Sequence, residues 1–303
     1  AMACRVCGRR EGTVLQVCSC PKSRGYAHVE CLTQLAAYSW PELAPWQACS
    51  GCKRPYTGDA ALGLARAAWV RVKSKPEGSG PRGQVATMLA KALLASGSYE
   101  EATRHLSLTH ASRARTLGPR HKDTLLAANN LGAALHASGR FEDAVRLFTI
   151  THQSQQQVLG PDHVETLQTA NNFAAALRAA GRHDEAADIH QATWEARVRV
   201  LGEDHPRTLQ SANNLAAALD AQGHHDRAAS VHAGVWRARA RQLGADHPET
   251  LASANNYAAA LHAQGEHAKA IDVLRETSAQ RHAVLGADHP DTLQCENNLG
   301  AAL

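Results

Sequence analysis

Residues 201–223 read Leu-Gly-Glu-Asp-His-Pro-Arg-Thr-Leu-Gln-Ser-Ala-Asn-Asn-Leu-Ala-Ala-Ala-Leu-Asp-Ala-Gln-Gly, from Leu201 to Gly223. The segment carries its own start and stop signals. Pro206 suits the first turn of a helix, where its missing N–H has no partner to lose. Leu209, Ala212, Leu215, Ala216 and Leu219 then fall on one helical stripe. Gly223 ends the helix in the left-handed conformation that glycine tolerates. Ala228 and Val231 continue into a second helix whose apolar face can fold back on the first.

The same text recurs along the chain. Leu-Gly stands at 117, 159, 201, 243 and 285, a constant period of 42. In register with it are His121, His163, His205, His247 and His289, then Thr-Leu from 124, 166, 208, 250 and 292, and Asn-Asn from 129, 171, 213, 255 and 297. A glycine closes the first helix at 139, 181, 223 and 265. Fixed-period self-similarity is the mark of a repeat array. One helical hairpin cannot bury both its faces, so hairpins stack on a shared core and form a superhelix. Residues 84–116 fit a degenerate first unit, with Ala90, Leu93, Gly97, Tyr99 and Ala102 in matching places. The last unit, from 285, has a first helix only, as a piece of a longer chain would.

The unit resembles the tetratricopeptide repeat. Its 42-residue length, with Leu-Gly-x-x-His-Pro and Asn-Asn-Leu-Ala, is similar to the kinesin light chain variety. The resemblance implies that first helices line a concave groove for a peptide or protein cargo. By it, the groove contacts are the second Asn of each pair (Asn130, Asn172, Asn214 and Asn256), with Gln168 and Gln210 one turn earlier, beside Leu126. His136, Arg178, Asp220 and His262 vary between units and would tune selectivity. An Asn amide carries both donor and acceptor and can hold a peptide backbone of any sequence. The competing expectation is that uniform asparagines bond the backbone of the neighbouring repeat. The recurring histidines lie in different repeats, about 10 Å or more apart; each His, or the Asp before it, is expected to cap its first helix rather than bind metal.

The first 58 residues are different. Seven of the eight cysteines lie before residue 53, as Cys4-x2-Cys7, Cys18-x-Cys20, Cys31 and Cys49-x2-Cys52, with His28 three residues before Cys31. Eight ligands make two tetrahedral zinc sites, whereas a secreted disulfide framework usually spreads its bonds through the domain it staples. A cross-braced arrangement is expected: Cys4, Cys7, His28 and Cys31 on one ion, Cys18, Cys20, Cys49 and Cys52 on the other. Each set fills its metal's coordination, so both zincs would be structural. Binding worth about 10–16 kcal/mol per site would replace the core that so short a module lacks.

This ligand order resembles the RING-CH (RING-variant) finger of the membrane-associated RING-CH ubiquitin ligases, over about residues 3–57. The resemblance implies docking of a ubiquitin-conjugating enzyme through Val6, Leu32 and Leu35, with Lys53 touching ubiquitin, and transfer without a covalent intermediate. Leu35 stands where that family usually carries a Trp. A PHD-type finger fits less well: its second pair is usually Cys-x2-Cys, and Trp46 lies three rather than two residues before Cys49.

Residues 59–73 have an amphipathic helical pattern with Asp59 as N-cap, and 74–83, with two prolines and three glycines, read as a flexible hinge. The expected organisation is a finger over 1–58, a connector over 59–83 and an array over 84–303, mainly α in class. A net charge of +4, spread rather than blocked, argues against nucleic acid. No run approaches the 18 apolar residues a membrane helix needs. No signal peptide is visible, although the chain begins with Ala1. Clustered free cysteines suit the cytoplasm, or the nucleus, rather than secretion. No HExxH, Walker or Gly-x-Ser-x-Gly motif is present, and Cys295 reads as a small buried side chain. The functional expectation is a ligase-like adaptor, its finger engaging a conjugating enzyme and its array a substrate. The alternative is a non-catalytic interaction scaffold with a structural or PHD-like finger.

Overall fold

The computed structural model describes residues 4, 6, 7, 9, 13, 15–17, 26–50, 52–76 and 80–303. It is mainly α and divides into two compact units, Ala1–Val158 and Leu159–Leu303.

The first unit opens with a two-stranded antiparallel ribbon, β1 (Leu15–Gln16) against β2 (Tyr26–Ala27), in which Leu15 pairs with Ala27. Then come α1 (Val29–Ala37), α2 (Ala44–Gln47), α3 (Gly58–Val72), α4 (Gly80–Ala95), α5 (Tyr99–Thr116), α6 (Lys122–Ala137) and α7 (Phe141–Val158). Val17, Ala27, Leu32, Ala36, Trp46 and Tyr56 from the head form one core with Ala60, Leu64, Ala68 and Val72 of α3 and Val85 of α4. Trp46 meets Trp40 edge-on at 5.9 Å. Gly63 lets α3 lie against the start of α1: a Cβ there would fall 2.4 Å from Cγ1 of Val29.

The segment 59–73 is therefore the floor of the head's core, not a spacer beside it. Its helix starts at Gly58, with Thr57 at the N-cap and Asp59 in the first turn, where a carboxylate favours the positive helix end. The expected hinge is also shorter, because residues 80–83 are already the first turn of α4. Pro81 loses nothing there. Arg82 donates to the carbonyl of Lys75 and lies over the Trp69 ring, 5.9 Å from its centroid. Arg82 thus ties the start of α4 to Lys75 and to Trp69 of α3.

The second unit comprises α8 (Val164–Ala179), α9 (His183–Leu201), α10 (Pro206–Ala221), α11 (His225–Leu243), α12 (Pro248–Ala263), α13 (His267–Leu285) and α14 (Pro290–Ala302). The stripe of Leu209, Ala212, Leu215, Ala216 and Leu219 is buried throughout, as is Ala228 across the turn. Gly223 takes φ +80°. His224 N–H donates to Leu219 O at 2.9 Å and Gly223 N–H to Asp220 O at 3.0 Å, the paired bonds that close a helix C-terminus.

The five recurring histidines cap their helices. Nδ1 of His121, His163, His205, His247 and His289 accepts from the N–H two residues on, at 3.1–3.2 Å. The following threonines are buried, and Thr124, Thr166 and Thr292 donate to the carbonyls of Gly118, Gly160 and Gly286 at 2.8–2.9 Å. The Leu-Gly-x-x-His-x-x-Thr text is a loop-and-cap device that sets where each first helix begins.

Candidate metal centre and repeat surface

Cys4 and Cys7 sit on a turn closed by Cys4 N–H donating to Arg9 O at 2.9 Å. β2 delivers His28 to the N-cap position of α1, and Cys31 follows on the first turn, so both face the same way. The four ligand atoms lie within 4.8 Å of one another. Nδ1 of His28 is 3.5 Å from Sγ of Cys7 and 3.6 Å from Sγ of Cys31, while His28 N–H donates to Sγ of Cys4 at 3.5 Å. Bond lengths of about 2.3 Å to sulfur and 2.0–2.1 Å to nitrogen give a tetrahedral S···N edge of about 3.5 Å. The separations therefore fit one tetrahedral ion.

The sulfur chemistry points the same way. Burial pushes the Cys4 thiol up, but hydrogen bonds from the backbone of Cys7, His28 and Val6 outweigh it and bring it down to about 6. Burial, then hydrogen bonding and charge from Cys7 and Cys4, push Cys31 up to about 12. Once one thiolate forms, its neighbours resist ionisation unless a cation shares the site. The cluster can hold one metal ion.

Of the second expected set, Cys49 and Cys52 form a tight turn: Lys53 N–H donates to Cys49 O at 2.8 Å and Cys49 N–H to Arg54 O at 3.0 Å. Lys53 adopts φ +60°. Cys18 and Cys20 lie outside the described residues. Among the described residues no cysteine is in a disulfide, and Cys295 is buried.

The expected docking shelf is only partly at the surface. Val6 and Leu35 are exposed, but Leu32 is 2% exposed and belongs to the head's core. That is a correction: α1 turns Leu32 and Ala36 inward, and Leu35, three residues from Leu32, outward.

The asparagine pairs form a ladder. Nδ2 of Asn214 donates to Oδ1 of Asn171 at 2.8 Å, Asn256 to Asn213 at 3.0 Å and Asn298 to Asn255 at 3.1 Å. The second Asn of one unit thus holds the first Asn of the unit before it. These amides bond the neighbouring repeat as the competing expectation had it, but through side chain rather than backbone. Asn130, Asn172, Asn214 and Asn256 all remain partly exposed, as do Gln168 and His136, while Gln210 and Arg178 are exposed. Gln168 donates to Oδ1 of Asn172 at 3.2 Å.

A second ladder escaped the sequence reading. Arg recurs at 113, 197, 239 and 281 in the second helices, the same period of 42, and each guanidinium reaches the carbonyl ten residues on, of Asp123, Arg207, Glu249 and Asp291. Arg197 and Arg281 also reach back to the carbonyls of Leu167 and Leu251, both at 3.4 Å. Burial lowers the Arg197 pKa to about 10, so it stays cationic at neutral pH. Gln155 occupies the remaining place; it is buried, and its amide atoms have no partner among the described residues. The periodicity of arginine on a helix face was the available signal.

A protein of this kind is a scaffold of helical hairpins, held in register by polar ladders, with no catalytic constellation evident among the described residues. The chain belongs to the tetratricopeptide repeat family, which matches residues 83–150, 126–197, 168–233 and 251–303. Two structures of the nearly identical TPR-like repeats of a Podosopora anserina kinesin light chain are similar, at 28% and 27% identity. Each covers 67% of this chain and 96% or 97% of its own, with TM-scores of 0.62 and 0.61. BtubC (BKLC) from P. vanneervenii shares the fold at 17% identity and TM-score 0.65, over 76% of this chain and 92% of that one. Comparison with curated proteins gives no match. No described helix is long and apolar enough to cross a membrane.

Proposed function

We propose that this chain is a protein-interaction adaptor in which a zinc-braced RING-CH-like finger, residues 1–58, presents a ubiquitin-conjugating enzyme to a partner held by the repeat array, residues 84–303. The observation that carries the metal half is the Cys4, Cys7, His28 and Cys31 cluster, whose separations match a tetrahedral ion. Zinc there fixes the finger's fold, and a second zinc on Cys18, Cys20, Cys49 and Cys52 completes the cross-brace. Val6 and Leu35, exposed beside that cluster, and Lys53 supply the docking surface. Transfer would need no group of this chain to bond ubiquitin; the finger and array raise the effective concentration of lysine near thioester. Free thiols suit a reducing compartment, cytoplasm or nucleus.

A second reading, a binding scaffold without transfer activity, is favoured by one specific observation. The finger shares its core with α3 and Val85 of α4, as a cap that shields the end of a solenoid would. In both readings the array binds protein, and its groove residues are Asn130, Asn172, Asn214, Asn256, Gln168, Gln210, His136 and Arg178.

Metal analysis of the purified chain should give two zincs. Autoubiquitination with a panel of conjugating enzymes separates the readings: chains that vanish in Leu35→Asp support the ligase, and no product with any enzyme leaves the scaffold.

A further inference from the structure

At three of the hairpin turns the side chains at one position and five residues later meet, and their chemistry changes from unit to unit. His136 meets the Phe141 ring at 5.6 Å, and Asp220 meets Nδ1 of His225 at 2.6 Å. In the unit that begins at 243 both positions are histidine: Nδ1 of His262 is 3.0 Å from Nδ1 of His267. His262 lies in the last turn of α12, His267 opens α13, and Gly265 between them takes φ +89°. His267 is exposed and His262 half-buried, so the pair opens to solvent.

We infer that His262 and His267 form a two-histidine chelate for a late first-row divalent cation, on the array and separate from the cysteine cluster. Two tests of geometry carry it. Nitrogens bound to one ion at about 2.0–2.1 Å are about 2.9 Å apart at a right angle and 3.3 Å apart at the tetrahedral angle; the measured 3.0 Å falls in that window. Rings radiating from a common ion close to a right angle, as a 3.0 Å separation requires, place their centroids about 4.7 Å apart, whereas a head-on N–H···N hydrogen bond at 3.0 Å places them about 5.3 Å apart. The centroids are 4.8 Å apart, with planes at 61°.

The two arrangements require different tautomers. A direct hydrogen bond needs one ring to carry its proton on Nδ1, while an ion takes both rings with the proton on Nε2. Imidazole pairs suit nickel, copper and zinc, and water would fill the remaining positions. Glu266, between the two histidines, is held by Lys269 at 3.1 Å and is not needed as a ligand. The neighbouring turn has an aspartate in place of the first imidazole, which makes it the natural control.

The test is calorimetric titration of Ni2+ into the full chain with its cysteine sites preloaded with zinc, repeated on His262→Gln, His267→Gln and His225→Gln. The expected result is one nickel per chain, with affinity at least tenfold weaker in each of the first two variants and unchanged in the third. Matching circular dichroism confirms that the variants fold, the half-buried His262 included. Unchanged affinity in both variants, loss in one alone, or no stoichiometric uptake by the unsubstituted chain would each overturn the inference.

Discussion

Replacing Arg197 by Met tests whether buried polar groups, rather than apolar area alone, hold the repeats together. The Arg197 side chain is 1% exposed. Nη1 donates to Arg207 O at 2.9 Å and to Oγ of Ser211 at 2.7 Å, and Nη2 to Leu167 O at 3.4 Å and Oε1 of Gln168 at 3.3 Å. Methionine fills much of the volume but leaves these acceptors without a donor. Two short charge-assisted bonds are worth about 1.5–3 kcal/mol each, the two long ones less, and recovered desolvation offsets a large part. The net loss is about 2–4 kcal/mol, a thirty- to thousandfold rise in local opening. Repeat arrays do not always unfold in one step, so the assay is amide hydrogen exchange across α8, α9 and α10. Arg239→Met gives the scale: that side chain is more exposed and makes fewer bonds, to Glu249 O at 3.3 Å and Ser253 Oγ at 2.8 Å, with the exposed Glu249 carboxylate at 3.4 Å, so about 1–2 kcal/mol is expected. If Arg197→Met proves neutral, or costs less than Arg239→Met, the ladder is not what stabilises the stack.

Three further outcomes are expected. Chelating the metal, or making Cys31→Ser, should cost protection in α1 and also in α3, because they share one core, and leave α8–α14 unchanged; loss confined to the head would refute the shared core. Gly132→Ala should destabilise by about 1–3 kcal/mol, since its Cβ would lie 2.6 Å from the Phe148 ring, whereas Gly234→Ala, with nothing within 4 Å, should stabilise by about 0.5–1 kcal/mol; thermal melts read both. Burial holds His190 and His232 neutral, down to about 4. Their folded values lie below the unfolded 6.5, so the unfolded chain takes up protons first. Stability is then lost as pH falls from about 6.5 toward 4, roughly 1–3 kcal/mol for each. His190→Phe with His232→Leu, the residues found at 148 and 274, should flatten that dependence in denaturant titrations, and an unchanged slope would refute it.

The repeat was legible because its signals are local. Pro206, the Leu209 stripe and Gly223 each dictate backbone or burial without knowledge of distant residues, and all three behave in the structure as they read. The helix cap was legible for the same reason, though sequence alone leaves it between each His and the residue before it. The head's relation to α3 was not, because Ala60, Leu64 and Ala68 announce only an amphipathic helix, not which surface it covers. Composition misled at 80–83: Pro and Gly suggest looseness, but Arg82 bonding Lys75 and lying over Trp69 is a pairing no window of sequence displays. Analogy of position puts Leu32 on a surface, whereas the direction of α1 buries it. The arginine ladder is present in the sequence as a period, but lone arginines on a helix usually read as solvated.

The two ladders also explain how so alanine-rich an array keeps one register. Surfaces of Ala and Leu are smooth, and sliding one hairpin by a helical turn would exchange similar apolar contacts at little cost. Each Asn–Asn bond and each buried guanidinium admits one alignment, and a slip leaves donors and acceptors unpaired at about 1–3 kcal/mol apiece. Polar groups in the core thus act against wrong alignments more than they add to the right one, the role best attested for buried polar residues in helical assemblies. Asn171 to Asn214, Asn213 to Asn256 and Asn255 to Asn298 repeat that constraint along the second unit. Register being fixed there, positions 178, 220 and 262 near the turns are free to differ, as Arg, Asp and His do, and it is such positions that can be spent on a partner or an ion.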